Sequence, residues 1–508
     1  MAAIITVRVP PPPVAGAGAD AAGAPALLPR HKSSSAAQGT AEEASPLRSA
    51  SPSCARGIRR RNPLRSALQD CVEHPPRRNL FFALVRWWYG GMMTRAAVLL
   101  SLLCCLAAAG RGEAVSVVGE GEAAAAELAV SVDPSWRFPN QRLLDAYVAL
   151  QTWKQQAIFS DPRGFTADWV GPGVCNYTGV FCAPLPRGAP GAGELAVAGL
   201  DLNHGDIAGY LPPELGLLAD LSLLHLNSNR FCGLVPATLR RLRLLVELDL
   251  SNNRLVGAFP AVVLDLPALK FLDLRFNDFE GAIPPALFDR PLDAIFLNHN
   301  RLRSPLPDNF GNSPASVIVL ADNSFGGCLP ASLGNMSGTL NEILLINNGL
   351  DSCVPPEVGL LREVTVFDVS FNALVGPLPQ QVAGMRKVEQ LDVAHNRLSG
   401  AVPEAICALS RLKNLTISYN FFTGEPPSCA RVVPSDGDRR NCLPSRPAQR
   451  TPQQCAAFYS QPPVDCAAFQ CKPFVPVPPP PPPPSYPGPL PPVYPMPYAS
   501  PPPPAHYR

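Results

Sequence analysis

Carboxylates and apolar side chains recur along the middle of this chain at intervals of 23 to 25 residues. Asp273, Asp368 and Asp392 hold one position of that recurrence, and Phe296, Val319 and Leu344 hold the same position between them. Phe271, Val317, Glu342 and Val366 recur two residues earlier and Ile346 two residues later. If each interval is one coil, these side chains share a face with an apolar centre and an acidic rim. Such a face suits a basic peptide with apolar anchors, although the bland alternative is ordinary strand composition. Catalysis lacks its parts. Of the seven histidines (His31, His74, His204, His225, His299, His395 and His506), His204, His299 and His395 fall at one slot of the recurrence. No nucleophile, metal cluster or phosphate loop accompanies them. We expect no enzyme activity, no metal and no cofactor.

The recurrence itself runs from Leu200 to Pro427. Its clearest copy is Leu248-Asp-Leu-Ser-Asn-Asn-Arg-Leu-Val-Gly-Ala-Phe-Pro260. Units begin at Leu200, Leu224, Leu248, Leu272, Ile295, Ile318, Ile343, Phe367, Leu391 and Leu415. So regular a period predicts an α/β solenoid of ten leucine-rich repeats of the plant type, in which stacking supplies the core that no unit has alone. Alternation sends positions 1 and 3 inward and positions 0, 2 and 4 onto the concave face. Asn at position 6 of nine units, from Asn229 to Asn420, is expected to satisfy backbone groups of neighbouring coils. Gly at position 10 allows a tight turn, and Pro at position 13 closes every unit.

Acidic side chains outnumber basic ones in the repeats although the whole chain is +2. That balance argues against nucleic acid and for a neutral or basic ligand. The ends differ in kind. Residues 1–91 are a low-complexity Ala, Pro, Ser and Arg extension, and 92–114 read as a signal peptide with Met92 or Met93 as the true start. The apolar run is short for a membrane span. Residues 115–192 form a cap, with Asn140 starting a helix that carries Leu143, Leu144, Tyr147, Leu150, Trp153 and Ile158 on one stripe and stops at Asp161-Pro162. The repeat domain spans 193–428 and a cysteine-rich hinge 429–471. The tail 472–508 is Pro-dominated and favours an unfolded polyproline II rod.

Fifteen cysteines, eleven of them after Cys105, suit an oxidising compartment. Cys328 and Cys353 both sit at position 11 of adjacent units, and stacked strands bring equivalent residues within disulfide range, so we expect them to bond. By weaker forms of the same reasoning Cys175 pairs with Cys182, Cys407 with Cys429, and Cys442, Cys455, Cys466 and Cys471 among themselves. Cys232 is then left over, as a buried thiol or as a bridge in a homodimer. Sequons stand at Asn176, Asn335 and Asn414.

The combination resembles the leucine-rich repeat extensins of plant cell walls. Matching stretches include Trp153-Lys154, Ser160-Asp-Pro162, Val174-Cys-Asn-Tyr-Thr-Gly-Val-Phe-Cys182, Tyr419-Asn-Phe-Phe-Thr-Gly-Glu425, Pro463-Val-Asp-Cys466 and Phe469-Gln-Cys471. The resemblance implies a secreted wall protein whose repeats bind a small basic cysteine-rich peptide of the rapid alkalinisation factor type. Its tail would attach to wall polymers, and together they would regulate wall assembly and growth. Hydroxylation at Pro501, Pro502, Pro503 and Pro504 and cross-linking at Tyr486, Tyr494, Tyr498 and Tyr507 belong to that implication. The tail departs from the family in having one clean serine-proline run, Ser500 to Pro504. Two other classes compare less well. A soluble apoplastic inhibitor of pectin-degrading enzymes lacks the hinge and tail, and a receptor ectodomain needs a membrane span and kinase after the repeats.

Overall fold

A computed structural model describes residues 130–476. The expected leader, signal peptide, hydroxyprolines and tail tyrosines lie outside these residues. An eleven-stranded sheet lines one face of the solenoid. Val180–Pro184 pairs antiparallel with Leu195–Asp201, and every later strand, one per unit to Asn414–Thr416, is parallel. Position 1 residues pair with each other throughout, as in Leu224↔Leu248, Ile318↔Ile343 and Leu391↔Leu415. All ten are at most 2% exposed. Each such side chain contributes roughly 1.5–3 kcal/mol of burial.

The Asn ladder holds neighbouring coils together. Asn229 Nδ2 donates to Leu202 O (2.8 Å) and Leu226 O (3.0 Å) while its Oδ1 accepts from Ile207 N (2.9 Å). Asn277, Asn396 and Asn420 repeat the pattern. The ladder has a further rung. Asn441 donates to Ile417 O and accepts from Phe422 N, each at 3.0 Å, so the segment after the last repeat forms an incomplete further coil. Leu415, Ile417 and Tyr419 donate their N–H groups to Val432, Gly437 and Arg439 in the same coil.

The opening cap differs from the sequence expectation at its end. Asn140 caps the helix Gln141–Thr152 by accepting from Leu143 N at 3.0 Å, but the chain leaves the helix through the wider turn Trp153–Ala157. Ile158–Ser160 is then a strand, antiparallel to Ala208–Tyr210. An unpaired edge outcompetes three more helical residues there, because it offers backbone partners. Gly209 is essential to this approach: a Cβ would stand 2.3 Å from Ala157 O.

On the flank beyond the turn, six short strands from Ile158–Ser160 to Arg301–Leu302 form one sheet and three from Val375–Pro377 to Phe421–Gly424 another. Between them only isolated bridges remain, at Arg303↔Ser324, Gly327↔Leu350 and Cys353↔Val375. The register of the flank overturns the Cys328–Cys353 pairing, because position 10 of one unit stands opposite position 8 of the next along the whole solenoid, as in Gly209↔Phe231, Gly257↔Phe279 and Gly376↔Leu398. Gly327 lies opposite Leu350, so Cys328 faces Asp351 rather than Cys353: equal position numbers are two residues out of register there. Cys328 instead bonds Cys471 and Cys353 bonds Cys466, with Cα separations of 5.7 and 5.6 Å. The last four cysteines therefore do not pair among themselves; only Cys442–Cys455 does. Cys175–Cys182 and Cys407–Cys429 are joined. Cys232 is disulfide-bonded as well, so it is not the free buried thiol of the sequence reading.

Candidate functional site

The strands Phe271–Asp273, Ala294–Phe296, Val317–Val319, Glu342–Leu344, Val366–Asp368 and Gln390–Asp392 lie side by side. Their register aligns two columns. One runs Phe271, Ala294, Val317, Glu342, Val366, Gln390; the other runs Asp273, Phe296, Val319, Leu344, Asp368, Asp392. Ile346 lies two residues beyond the strand of Glu342 and is half-buried. All eleven face residues inferred from the sequence thus fall on this stretch.

An apolar cluster separate from the solenoid core occupies the middle of the face: Ala294, Phe296, Val317 and Val319, flanked by Phe271 and Leu344. The four central side chains are only 6–7% exposed, so the open apolar patch expected from the sequence is recessed. Strands about 4.8 Å apart put bulky neighbours in contact and consume their surface. The phenyl rings of Phe271 and Phe296 are 5.5 Å apart, and the Arg275 guanidinium sits 5.4 Å from the Phe296 ring centre. Phe271, Glu342, Leu344, Ile346, Val366, Asp368 and Asp392 are half-buried and frame the recess.

Carboxylates close both ends. Asp273 is 1% exposed, and burial, then repulsion from Asp249 one coil away, pushes its carboxyl up to about 8. Arg275 Nε lies 3.1 Å from Asp273 Oδ2 but lacks hydrogen-bond geometry, so the contact offsets only part of that cost. At the far end burial raises Asp368, and burial with repulsion from Asp368 pushes Asp392 up to about 7. Glu342 is raised by burial alone, and its Oε2 has no hydrogen-bond partner. Each end therefore holds a pair of stacked acids whose charge is poorly compensated, an arrangement that a ligand cation would relieve. Sequence reading found the acids but missed their burial, the Arg275 contact, and Asp249 as the second member of the first pair. The column Asp249, Asp273 was legible at 24-residue spacing.

The remaining inferred sites scatter. Asn176 and Asn414 are exposed, whereas Asn335 is half-buried with Nδ2 3.4 Å from Val475 O. His395 lies outside the acidic recess, stacked between Phe371 and Tyr419 at 4.0 Å from each ring. Among the described residues no cluster of three or more His, Cys, Asp or Glu is placed to hold a metal, and no helix is long and apolar enough to cross a membrane.

Fold and face together define a capped leucine-rich repeat solenoid with a recessed, acid-flanked groove. Leucine rich repeat family profiles match residues 219–279 and 387–409. The chain is 68% identical over 335 residues to leucine-rich repeat extensin-like protein 6 of Arabidopsis thaliana, covering 66% of this chain and 70% of that one. It is 63% identical to leucine-rich repeat extensin-like protein 3 of the same plant over 342 residues, 67% of this chain but only 44% of that one. The chain belongs to the leucine-rich repeat extensin-like family. Among solved structures it is similar to the Arabidopsis receptor kinase HAESA in complex with the peptide hormone IDA and the co-receptor SERK1, with TM-score 0.51, 27% identity, and 60% and 50% of the two chains covered. A plant ice-binding protein shares the fold alone, with TM-score 0.51, 24% identity, and 61% and 97% covered.

Proposed function

We propose that this protein is secreted to the plant cell wall and binds a small basic signalling peptide, of the rapid alkalinisation factor type, along the face from Phe271 to Asp392. In this reading its proline-rich tail associates with wall polymers, and the pair regulates wall assembly and growth. The observation that carries the reading is the recess itself: an apolar floor for anchors, with undercompensated acid pairs Asp249/Asp273 and Asp368/Asp392 at its two ends. Family membership supports the wall setting, and the similar receptor ectodomain that holds a peptide hormone supports the ligand class.

The acids give the binding a direction in pH. A Lys or Arg side chain attracts the ionised carboxylate, so binding such a peptide expels protons from Asp273 and Asp392. Affinity should rise as pH climbs through the range of about 7 to 8 where these groups ionise. Capture of secreted peptides on the immobilised full chain, followed by mass spectrometry, tests the proposal. Recovery of a basic cysteine-rich peptide that the Asp273→Asn/Asp392→Asn variant fails to retain supports it; equal recovery on both proteins contradicts it.

A further inference from the structure

The segment after the last repeat does not run on from the end of the solenoid. It turns back along the flank, against the direction of the repeats. Val464 and Cys466 Sγ lie against Gly376 in the eighth unit, Cys466 bonds Cys353 in the seventh, and Cys471 bonds Cys328 in the sixth. Lys472 Nζ then pairs with Asp308 Oδ2 of the fifth unit at 2.8 Å. Phe474 packs over Gly334, where a Cβ would come within 2.9 Å of its ring, and Val475 O meets Asn335. The strap crosses the one stretch where the flanking strands are interrupted, between Arg301–Leu302 and Val375–Pro377.

From this geometry we infer that the strap is a load-bearing root: tension applied through the tail enters the solenoid at Cys328, and residues 328–471 are shielded from it. A solenoid coil contacts only its neighbours. A tail leaving from the tenth unit would therefore peel the coils one after another, starting with the cap and the coils that carry Asp392 and Asp368. Rooted at Cys328, the same tension runs toward the earlier units and leaves the acid pair Asp368/Asp392 folded. The root also lies in the fifth and sixth units, whose strands carry Phe296 and Val319 on the opposite face. Force between an occupant of that recess and the tail is then carried across the thickness of the solenoid rather than along it. The inference concerns the path of force through the fold and holds whatever the tail is fixed to and whatever the face binds.

Single-molecule stretching of the full secreted chain, with handles at its N-terminal end and beyond Arg508, tests the root. The strap bonds are open to reagents, since Cys466 is exposed and Cys328, Cys353 and Cys471 are half-buried, and the half-buried Cys175–Cys182 and Cys442–Cys455 bonds open with them, whereas Cys407 and Cys429 are at most 1% exposed. Brief reduction of the folded protein followed by alkylation yields a strap-open form without a folding step, and peptide mapping verifies it. The loop closed by Cys328–Cys471 spans 143 residues, of which the intact Cys407–Cys429 bond holds back 22, so the strap-open chain should extend about 420 Å further at ~3.5 Å per residue. The added length should appear as small steps of one or a few coils, beyond those that the units before Cys328 give in both forms. Equal final extension for the two forms overturns the inference. A Cys328→Ser/Cys353→Ser/Cys466→Ser/Cys471→Ser variant, which lacks both strap bonds, should show the same added length when secreted, and one that extends no further than the untreated chain also overturns the inference.

Discussion

Replacing Asp273 by Asn isolates the energetic cost of the acid-flanked recess. Asn keeps the shape and retains an acceptor for the Arg275 N–H, which Asp273 Oδ1 now holds at 3.0 Å, but it does not titrate. The wild-type carboxyl titrates at about 8 in the folded chain against an ordinary 3.8. Between those values the unfolded chain has released a proton that the folded chain retains, so stability falls as pH rises from about 4 to about 8 and is level above. A shift of about four pH units at ~1.4 kcal/mol each bounds the loss near 6 kcal/mol. Small movements toward Arg275 will relieve part of it, leaving roughly 2–4 kcal/mol. Asp273→Asn should therefore match the wild type at pH 4 and exceed it at pH 8, by several degrees in melting temperature. Thermal unfolding of both secreted proteins from pH 4 to pH 9 measures the gap. Two curves that stay parallel across the whole range would refute the reasoning.

Other consequences are independent of that carboxyl. Leu344→Ala should weaken peptide binding by about 1–3 kcal/mol with little loss of fold, since Leu344 is half-buried at the rim of the cluster; calorimetry giving wild-type affinity would remove Leu344 as an anchor. Phe296→Ala, at a site 7% exposed, should in addition cost about 3–5 kcal/mol of stability, visible as a lowered melting temperature. Non-reducing peptide mapping should recover Cys328 linked to Cys471 and Cys353 linked to Cys466, and a Cys328–Cys353 peptide would contradict the strap. Gly311→Ala should be poorly secreted or melt markedly earlier, because its Cβ would stand 1.8 Å from Ser332 O in the next coil; an unchanged melting curve would show that the coils can separate there without cost.

Periodicity made the solenoid legible because one residue type per position serves one contact. Leu248 and Asn253 announce, respectively, an inward side chain and an inter-coil amide, and the register confirms both. The same rule failed on the flank, where equal position numbers do not stand opposite one another. Cys328 and Cys353 share a position number, yet flank strands pair two residues out of step along the whole solenoid, and counting along the chain carries no trace of that stagger. Nor could the sequence reveal that Cys466 and Cys471 return more than a hundred residues to meet them, since nothing local encodes a contact made by a strap. Asn441 was missed as a ladder rung because no leucine pattern surrounds it. On the concave face, alternation identified which side chains share the surface. Their depth depends on the size of the neighbours in adjacent coils, so the burial of Phe296 and Asp273 emerged only in three dimensions.

Titration calorimetry of the full secreted protein with a basic cysteine-rich peptide of the rapid alkalinisation factor type, at pH 5.5 and pH 8, tests the binding face most directly. The wild type should bind at least about tenfold more tightly at pH 8, with proton release that depends on buffer ionisation enthalpy, and Asp273→Asn/Asp392→Asn should lose both the gain and the released protons. Binding that is equally tight at both pH values and untouched by the double substitution would contradict the acid-flanked recess as the site.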